Sequence, residues 1–370
     1  MKTLVTGGAG FIGSHTVDAL VKNGVDVRIL DSLEKPVHLK GKPDYLNPKA
    51  EFILGDVRNK EDMKKALEGV DSVFHLAAYQ DYMTDFSKFF HVNSVGTAII
   101  YELAVEYKLP VKKVVVASSQ AVYGEGKYHC EKDGIIYPDI RPENQLRAGD
   151  WEIKCPKCGH QMQWRETDES VVNPHNQYAV SKYTQELISL SLGRRYSIPT
   201  ACVRYSIVQG ARQSFYNAYS GACRIFSLYN YFDKTPTVYE DGLQLRDYLN
   251  IADVVSANLL VMEKDEANFN VYNVGGGKAY SVLDFARIVA DRFDKNNEPK
   301  VPGEYRFGDT RHIVSDITAL KNLGWEPRVP IEQSVDEYIE YLKEQANVED
   351  ILDYAEEKMK SMNVVRQAEL

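Results

Sequence analysis

Short runs of apolar, often β-branched residues alternate with amphipathic stretches over the first 120 residues of the chain. The apolar runs predict strands at residues 1–6, 25–31, 51–54, 72–76 and 112–118, and a similar run follows at 199–205. The amphipathic stretches predict helices at residues 11–23, 85–107 and 178–196. Strands that alternate with helices form parallel sheets, so the fold class is α/β with a Rossmann-type doubly wound sheet.

The alternation also divides the chain into regions. Residues 1–204 form the predicted Rossmann domain, interrupted at 126–167 by a segment that holds three of the five cysteines and little helical periodicity. We expect this insertion to have a small fold of its own. Residues 205–344 predict mainly a smaller α+β lobe, with 237–261 returning to the first domain. Residues 345–370 are highly charged and predict a helix or a frayed tail.

A glycine-rich turn joins the first predicted strand to the first helix. It reads Thr6-Gly-Gly-Ala-Gly-Phe-Ile-Gly13, and glycines at this place allow a tight turn and a close approach to pyrophosphate at the helix N-terminus. Asp31 ends the second strand, where a carboxylate accepts hydrogen bonds from a ribose and repels a 2′-phosphate. The cofactor is therefore predicted to be NAD rather than NADP. Asp56, after the third strand, is placed to meet the adenine edge.

A phenol and an ammonium follow four residues apart, at Tyr178 and Lys182, on one face of a predicted helix. A tyrosine has a pKa of about 10 and is a poor base, but a nearby cation stabilises its phenolate. Ser119 lies at the end of a predicted strand, at the sheet edge where open α/β folds bind their ligands. The three side chains together predict a catalytic site.

These motifs resemble the extended short-chain dehydrogenases/reductases of the NAD-dependent sugar-nucleotide epimerase/dehydratase family, over nearly all of residues 1–344 apart from the insertion. The resemblance implies a catalytic triad of Ser119, Tyr178 and Lys182, with Tyr178 as base and acid and Lys182 also holding the nicotinamide ribose. It implies that Arg246 and Arg306 clamp a substrate diphosphate, which guanidinium groups do well. The implied cofactor contacts are Gly7, Gly10, Phe11, Ile12, Gly13, Asp31, Asp56, Val57, Leu76, Ala77 and Ala78, besides Tyr178 and Lys182.

The two residues after Ser119 limit the reaction. The 4,6-dehydratase branch of the family has an Asp–Glu pair there, and the decarboxylase branch has a glutamate at the second position. This chain has Gln120 and Ala121, neither of which exchanges a proton at neutral pH. Hydride removal from a sugar carbon and its return to the other face remain, which is the 4-epimerase chemistry of the family.

Two segments favour a 6-deoxysugar substrate. Tyr79-Gln80-Asp81-Tyr82 and residues 204–210 resemble the branch that acts on dTDP-L-rhamnose, with Gln80 as a candidate sugar contact. Ile207 stands where glucose-type 4-epimerases usually have an asparagine that helps to hold the diphosphate. A UDP-glucose or UDP-GlcNAc-type 4-epimerase is the first alternative. A dehydratase or decarboxylase, and a non-catalytic NAD-binding sensor, are further alternatives.

The insertion contains a zinc-knuckle pattern, Cys155-Pro-Lys-Cys158-Gly, and a partial copy, Cys130-Glu-Lys-Asp133-Gly. Three thiolates and a carboxylate are a ligand set that zinc accepts in a closed, structural site. We predict zinc on Cys130, Asp133, Cys155 and Cys158, with His129 and His160 as rival fourth ligands. A reduced cysteine pair that packs the loop, or a labile redox pair, is the alternative.

Composition and charge exclude several classes of protein. The 370 residues are 44% hydrophobic and carry 44 basic and 53 acidic side chains, a net charge of −9, which argues against nucleic-acid binding. No apolar run approaches the roughly 18 residues of a membrane span, and nothing marks the chain for secretion. We therefore expect a cytoplasmic enzyme. The helices at 85–107 and 178–196 are apolar on more than one face, and the family commonly pairs them, which predicts a homodimer.

Overall fold

The computed structural model describes residues 1–81, 84–216 and 221–369. The strands are β1 (Lys2–Thr6), β2 (Asp26–Asp31), β3 (Glu51–Leu54), β4 (Ser72–His75), β5 (Lys113–Ser119), β6 (Lys127–Cys130), β7 (Gly134–Ile136), β8 (Gln163–Arg165), β9 (Thr200–Tyr205), β10 (Ile207–Gln209), β11 (Leu245–Asn250), β12 (Asn270–Val274), β13 (Ala279–Ser281), β14 (Glu304–Arg306) and β15 (Val365–Gln367).

The helices are α1 (Phe11–Lys22), α2 (Lys60–Leu67), α3 (Phe86–Phe89), α4 (Gly96–Glu106), α5 (Glu143–Arg147), α6 (Gln177–Tyr196), α7 (Ala222–Tyr231), α8 (Ile251–Glu263), α9 (Val282–Arg292), α10 (Thr318–Asn322), α11 (Ile331–Glu344) and α12 (Leu352–Ser361). Short 3₁₀ turns cover Gln120–Tyr123 and Asp265–Ala267, and a π-helical turn covers Phe90–Val95. Among the described residues, none of these helices is both long and apolar enough to cross a membrane.

A parallel seven-stranded sheet forms the centre of the protein, in the order β3-β2-β1-β4-β5-β9-β12. The chain winds outward from β1 in one direction and then from β4 in the other. The crevice between the carboxyl ends of β1 and β4 is therefore the topological switch point, where such sheets bind ligands. The predicted α/β fold with a doubly wound parallel sheet is confirmed.

Alternate residues of each central strand face two separate hydrophobic layers. Val5 and Val115 pack with α1 and α8 on one face of the sheet. Leu4 and Val114 pack with α2 and α4 on the other, together with part of α6. Both faces of the sheet are covered, which is why its strands are continuously apolar in sequence.

Most of the remaining elements form a smaller lobe beside the carboxyl edge of the sheet. Its strands are β10, β11 and β13, and helices α7, α9 and α11 enclose a third hydrophobic cluster. Helix α12 packs on α7, and β15 pairs antiparallel with β14. The C-terminal segment thus belongs to this lobe's packing, and β14 brings Arg306 to it.

The insertion has a small sheet of its own, in the order β7-β6-β8 and antiparallel throughout. Its buried cluster consists of Tyr128, Cys130, Ile153, Cys155 and Met162. Two of these five residues are cysteines, so its apolar core is small.

The helix predicted at residues 85–107 is interrupted by the π-helical turn. The buried Asn93 lies in this turn, where its side-chain amide exchanges hydrogen bonds with both backbone groups of Tyr79 and donates to Ser181 Oγ at 2.9 Å. A polar anchor of this kind favours a local change of helical pitch, and π turns often lie near functional sites.

Candidate active site

The loop between β1 and α1 packs backbone against backbone at the carboxyl edge of the sheet. Gly7 has φ of 69°, and a Cβ added to it would lie 2.7 Å from the Cα of Ala77. A Cβ added to Gly13 would lie 2.1 Å from the Gly7 carbonyl oxygen. Only glycine permits this cradle. It brings the N-terminus of α1, which begins at Phe11, to the switch-point crevice, a suitable place for a pyrophosphate.

Asp31 ends β2, and two backbone amides hold its buried carboxylate. The Ala9 N–H donates to Oδ2 at 2.9 Å and the Leu33 N–H donates to Oδ1 at 2.9 Å. A carboxylate offers about four acceptor positions, so both oxygens keep capacity for ribose hydroxyls. Its negative charge disfavours a 2′-phosphate at the same place. The cradle and this carboxylate therefore fit NAD.

The other residues predicted to hold the cofactor lie close to these. Gly10 belongs to the same loop, Phe11 and Ile12 form the first turn of α1, Asp56 and Val57 follow β3, and Leu76, Ala77 and Ala78 follow β4. The amides of Leu76 and Ala77 donate to the Thr6 carbonyl and hydroxyl oxygens, at 3.2 and 3.3 Å. Since β3, β2, β1 and β4 are neighbours in the sheet, these residues line one continuous edge.

The predicted catalytic residues come from β5 and α6. Ser119 is the last residue of β5, and its Oγ accepts from the Ala121 N–H at 3.2 Å. Tyr178 lies in the first turn of α6, behind the Asn176 N-cap, whose side chain accepts from the Ala179 N–H. The cap ends the preceding loop at a defined residue and so places Tyr178 at the cavity.

Lys182 lies one turn further along α6 and is buried, with 1% of its surface exposed. Its Nζ donates to Gln185 Oε1 at 2.7 Å. Burial lowers the pKa of Lys182 to about 7, an effect that the nearby Glu186 only partly offsets. Burial, together with the charge of Lys182, also lowers the pKa of His75 to about 3. The part of the crevice beside Lys182 and His75 is therefore poorly solvated.

A cavity of about 460 Å³ joins these elements to the smaller lobe. Its lining includes Ser119, Tyr178, Gln80, Arg246 and Arg306, so the structure brings two of the three predicted catalytic residues to one cavity with the predicted substrate residues. Ile207, where an asparagine was expected for a glucose-type enzyme, also lines it. Tyr82, the last residue of the segment 79–82 that resembles the dTDP-L-rhamnose branch, lies outside the described residues.

Hydrogen bonds fix both predicted diphosphate-binding arginines at the cavity wall. Arg246 donates from Nη2 to the Thr310 carbonyl at 2.6 Å and from Nη1 to the Arg311 carbonyl at 3.0 Å. Arg306 donates from Nε to Asp309 Oδ2 at 2.7 Å and stacks on the ring of Tyr239. Both guanidinium groups are therefore oriented by the segment that runs from Arg306 to His312.

Sequence reasoning missed two further polar residues of the cavity. Arg224, on α7, lines the cavity with 1% of its surface exposed, and burial lowers its pKa to about 10. Gln120 lines it with 9% exposed, and its Oε1 has no hydrogen-bond partner among the described residues. Arg224 carries no motif signal, and the motif position of Gln120 after Ser119 does not show its burial at the cavity, which depends on how the two lobes pack.

Four side chains of the insertion converge where β6 ends: Cys130, Asp133, Cys155 and Cys158. One donor atom from each lies within 4.8 Å of all the others. Cys130 Sγ lies 3.5 Å from Cys158 Sγ, and Asp133 Oδ2 lies 3.1 Å from Cys155 Sγ. With Zn–S near 2.3 Å and Zn–O near 2.0 Å, a tetrahedral site has edges of about 3.8 and 3.5 Å. The cluster has the dimensions of such a site.

Comparison with known proteins defines the class to which this fold and site belong. The sequence model of the NAD dependent epimerase/dehydratase family matches residues 3–145 and 155–275, and the chain belongs to this family. The resemblance inferred from the motifs is therefore confirmed. The match leaves a gap at residues 146–154, within the insertion.

Particular relatives narrow the class to 4-epimerases. The chain is 32% identical to dTDP-L-rhamnose 4-epimerase of Burkholderia thailandensis, over 91% of this chain and 93% of that one. Its structure is similar to UDP-glucose 4-epimerase of Thermotoga maritima with UDP-glucose, with TM-score 0.76, 29% identity and coverage of 93% and 99%. It is also similar to the Thermus thermophilus UDP-glucose 4-epimerase complex with NAD, with TM-score 0.73, 27% identity and coverage of 94% and 100%. The prediction of an NAD-dependent isomerase of the nucleotide-sugar 4-epimerase kind is confirmed.

Proposed function

We propose that this protein inverts C4 of a dTDP-6-deoxyhexose such as dTDP-L-rhamnose, through a 4-keto intermediate. The observation that carries the proposal is the single cavity that contains Ser119 and Tyr178 together with Arg246 and Arg306. This arrangement suits a substrate with a reacting sugar at one end and a diphosphate at the other. The similarity to a dTDP-L-rhamnose 4-epimerase supports the choice of sugar and base.

NAD would be held by the cradle of Gly7 and Gly13, by Asp31 at the ribose and by Lys182 near the nicotinamide. When bound, NAD would supply a reversible hydride acceptor for C4, so no net cofactor would be consumed. The cradle supports this assignment, because a side chain at either glycine would collide with backbone, at Ala77 or at Gly7, and would prevent the tight turn that brings the N-terminus of α1 to the pyrophosphate position.

Tyr178 removes the proton of the C4 hydroxyl as the ketone forms and returns it as the ketone is reduced. Its phenolate would stabilise the buried ammonium of Lys182, and the ammonium would stabilise the phenolate. Ser119 lines the same cavity, and its hydroxyl can donate to the reacting sugar oxygen. The three side chains thus have complementary roles in moving one proton.

Elimination lacks the acid and the base that the dehydratase branch of the family has beside Ser119. Gln120 and Ala121 line it at the place next to Ser119 where the dehydratase branch has carboxylates. Neither side chain titrates near neutral pH. The buried Gln120 Oε1 instead offers an acceptor to a sugar hydroxyl, which favours binding of the hexose without loss of water.

A UDP-sugar 4-epimerase is the second candidate, and the similarity to UDP-glucose 4-epimerases favours it. The two candidates differ in the base of the nucleotide and in the C6 hydroxyl. Ile207 in the cavity wall favours the first, because an apolar side chain replaces the asparagine expected in glucose-type enzymes.

The deciding experiment incubates the NAD-loaded protein with dTDP-L-rhamnose, UDP-glucose and UDP-GlcNAc in separate reactions and resolves the C4 epimers by NMR. Tyr178→Phe serves as the matched inactive control. Conversion of dTDP-L-rhamnose with the highest kcat/KM supports the proposal, and preferential conversion of a UDP-sugar would replace it with the second candidate. Formation of a dehydrated product would refute both. Conversion of none would leave the NAD-binding sensor.

We also propose that the protein is a homodimer in which α4 and α6 of each copy pair. Val95, beside α4, and Val180 and Leu187 on α6 are 45%, 37% and 52% exposed. Apolar side chains exposed on two neighbouring helices of this kind are typical of a dimer interface. A second copy of the same chain would bury them.

A structural zinc ion is the group that we propose for Cys130, Asp133, Cys155 and Cys158. Its support is the tetrahedral spacing of the four donor atoms. His129 and His160 do not belong to the cluster among the described residues. The five cysteines are free thiols. Since reduced thiols and thiolate sites persist in reducing compartments, the cytoplasm is the proposed location.

A further inference from the structure

The insertion connects the four-ligand cluster to the substrate cavity through a short path of buried residues. Cys130 ends β6, and Tyr128 lies two residues earlier in the same strand. Cys155 and Ile153 pack against both in the buried cluster of the insertion. Because its apolar core is so small, this unit would depend for its folding on the proposed zinc ion, which would cross-link its segments as in other small metal-bound domains.

From this unit, two side chains reach the segment that follows β14. The Tyr128 hydroxyl accepts a hydrogen bond from the His312 N–H at 3.2 Å. Glu152 binds Arg311 through Oε1, at 3.0 Å from Nε and 2.5 Å from Nη2, and lies 3.2 Å from His312 Nε2 through Oε2. Glu152 immediately precedes Ile153 and lies three positions before Cys155, so the cysteine cluster and this ion pair share one short segment of the chain.

Arg311 is fully buried and is the centre of a charged network. Its guanidinium also binds Glu240 at 2.9 Å and Asp241 at 2.6 Å. A second buried arginine, Arg141, belongs to the insertion. It binds Glu240 at 2.8 Å and donates to the Asp309 carbonyl at 2.8 Å. Buried charges that depend on several partners are sensitive to the loss of one of them.

The same segment holds the two cavity arginines. The carbonyls of Thr310 and Arg311 accept from Arg246, and the carboxylate of Asp309 binds Arg306. Any shift of residues 309–312 therefore moves the groups that orient both guanidinium forks. The glycine loop, at the edge formed by β1 and β2, is held by separate contacts.

We propose that the metal-bound insertion is a positioning element for the diphosphate-binding arginines, acting through Glu152, Arg141 and Arg311. Loss of the metal, or of the Glu152 ion pair, weakens binding of the nucleotide diphosphate while NAD binding persists. The inference rests on the proposed zinc site and nucleotide-sugar substrate. It makes substrate affinity dependent on zinc occupancy and on the reduced state of three cysteines. Glu152 lies in the gap of the family match at residues 146–154.

The test uses the wild-type protein, three variants and the conservative variant Glu152→Asp. Glu152→Gln removes the ion pair and keeps all four zinc ligands, Cys155→Ser removes a ligand, and Glu166→Gln is the control, an exposed carboxylate of the same insertion. For each protein we would measure zinc content, the dissociation constants of NAD, dTDP and UDP, and KM and kcat. Circular dichroism would verify the fold of each variant.

We expect Glu152→Gln to retain one zinc and wild-type NAD affinity, while the dTDP dissociation constant and KM rise at least about tenfold, since sub-ångström misplacement of binding groups has effects of this size. The kcat at saturation should change less than about threefold. Glu152→Asp should restore part of the affinity. Cys155→Ser should lose zinc and show the same selective loss, and Glu166→Gln should match wild type.

Two results would overturn the inference: unchanged dTDP and UDP affinity in zinc-loaded Glu152→Gln, or an equal loss of NAD and nucleotide affinity, which indicates general unfolding. Failure of the underlying proposals is separately visible. Zinc-free wild-type protein would refute the metal dependence, whereas the Glu152 arm would still test the ion-pair link. Absence of turnover with altered dTDP affinity in Glu152→Gln would refute the epimerase proposal alone.

Discussion

Removal of the Lys182 charge is predicted to raise the stability of the protein and to lower its turnover. The buried ammonium has a pKa of about 7 instead of 10.5, because burial disfavours its charged form. Lys182→Met keeps a flexible side chain of similar length and removes the charge. We expect the variant to be more stable than wild type in the absence of NAD and to lose at least about 10²-fold in kcat, the usual contribution of a group in a proton-transfer pair.

The size of the stability gain follows from the difference between the Lys182 pKa values of the folded and unfolded chain. Between pH 7 and 10.5 the unfolded chain binds the Lys182 proton more tightly than the folded chain does, so wild-type stability rises with pH over this window. The cost of burying the lysine is about 3 kcal/mol at pH 8 and about 1 kcal/mol at pH 9.5. Loss of the hydrogen bond to Gln185 offsets about 1 kcal/mol. The net gain from Lys182→Met is therefore about 2 kcal/mol at pH 8 and close to zero at pH 9.5.

The assay is denaturant unfolding of NAD-free wild type and variant at pH 7, 8, 9 and 9.5, since bound NAD would add its own stabilisation. Lys113→Met is the matched control, because burial also lowers the pKa of Lys113, which lies at the opposite end of β5, away from the catalytic residues. An advantage of Lys182→Met that does not shrink as the pH rises would refute the reasoning. So would a variant less stable than wild type at pH 8.

The remaining predictions concern turnover, association and metal. Tyr178→Phe should lower kcat at least about 10²-fold and leave NAD affinity intact by titration, and near-normal turnover would exclude Tyr178 as the base. Product formation should release no stoichiometric NADH, measured by absorbance, because hydride returns to the substrate. Leu187→Asp should convert the proposed dimer to a monomer in light scattering at micromolar concentration, whereas a wild-type monomer would contradict the interface. Cys155→Ser with Cys158→Ser should abolish the one equivalent of zinc expected by metal analysis and lower the melting temperature, and wild-type protein purified without chelators but holding far less zinc would contradict the site.

The central sheet could be predicted from the sequence because its information is local. Each of its first five strands is a short apolar run, and helices α1 and α6 begin and end within one residue of the predicted bounds. The glycine cradle was equally visible, since the need for a missing Cβ at Gly7 and Gly13 is written in the residue type itself. Both features can therefore be predicted without knowledge of the rest of the chain.

Other features depend on contacts between distant segments, which a linear pattern does not contain. The π-helical turn at residues 90–95 depends on Asn93, whose partners Tyr79 and Ser181 lie on separate segments. The burial of Arg224 and Gln120 at the cavity depends on the packing of the smaller lobe. The short helix α2 was also missed, although Asn59 caps it by accepting from the Glu61 and Asp62 amides.

The insertion contains one feature that local sequence predicts and one that depends on contacts between distant segments. The second bears on how an acidic chain would hold the proposed diphosphate. The four-ligand cluster could be predicted from two short cysteine motifs, but the charged network beside it could not. In that network Arg141 and Arg311 are neutralised by carboxylates of both the insertion and the smaller lobe. Arg246, by contrast, is held mainly by backbone carbonyls, which orient a guanidinium without cancelling its charge. The carboxylates of Glu152 and Glu240 are thus paired with Arg311 and Arg141 and do not neutralise Arg246, whereas Arg306 is oriented by the Asp309 carboxylate.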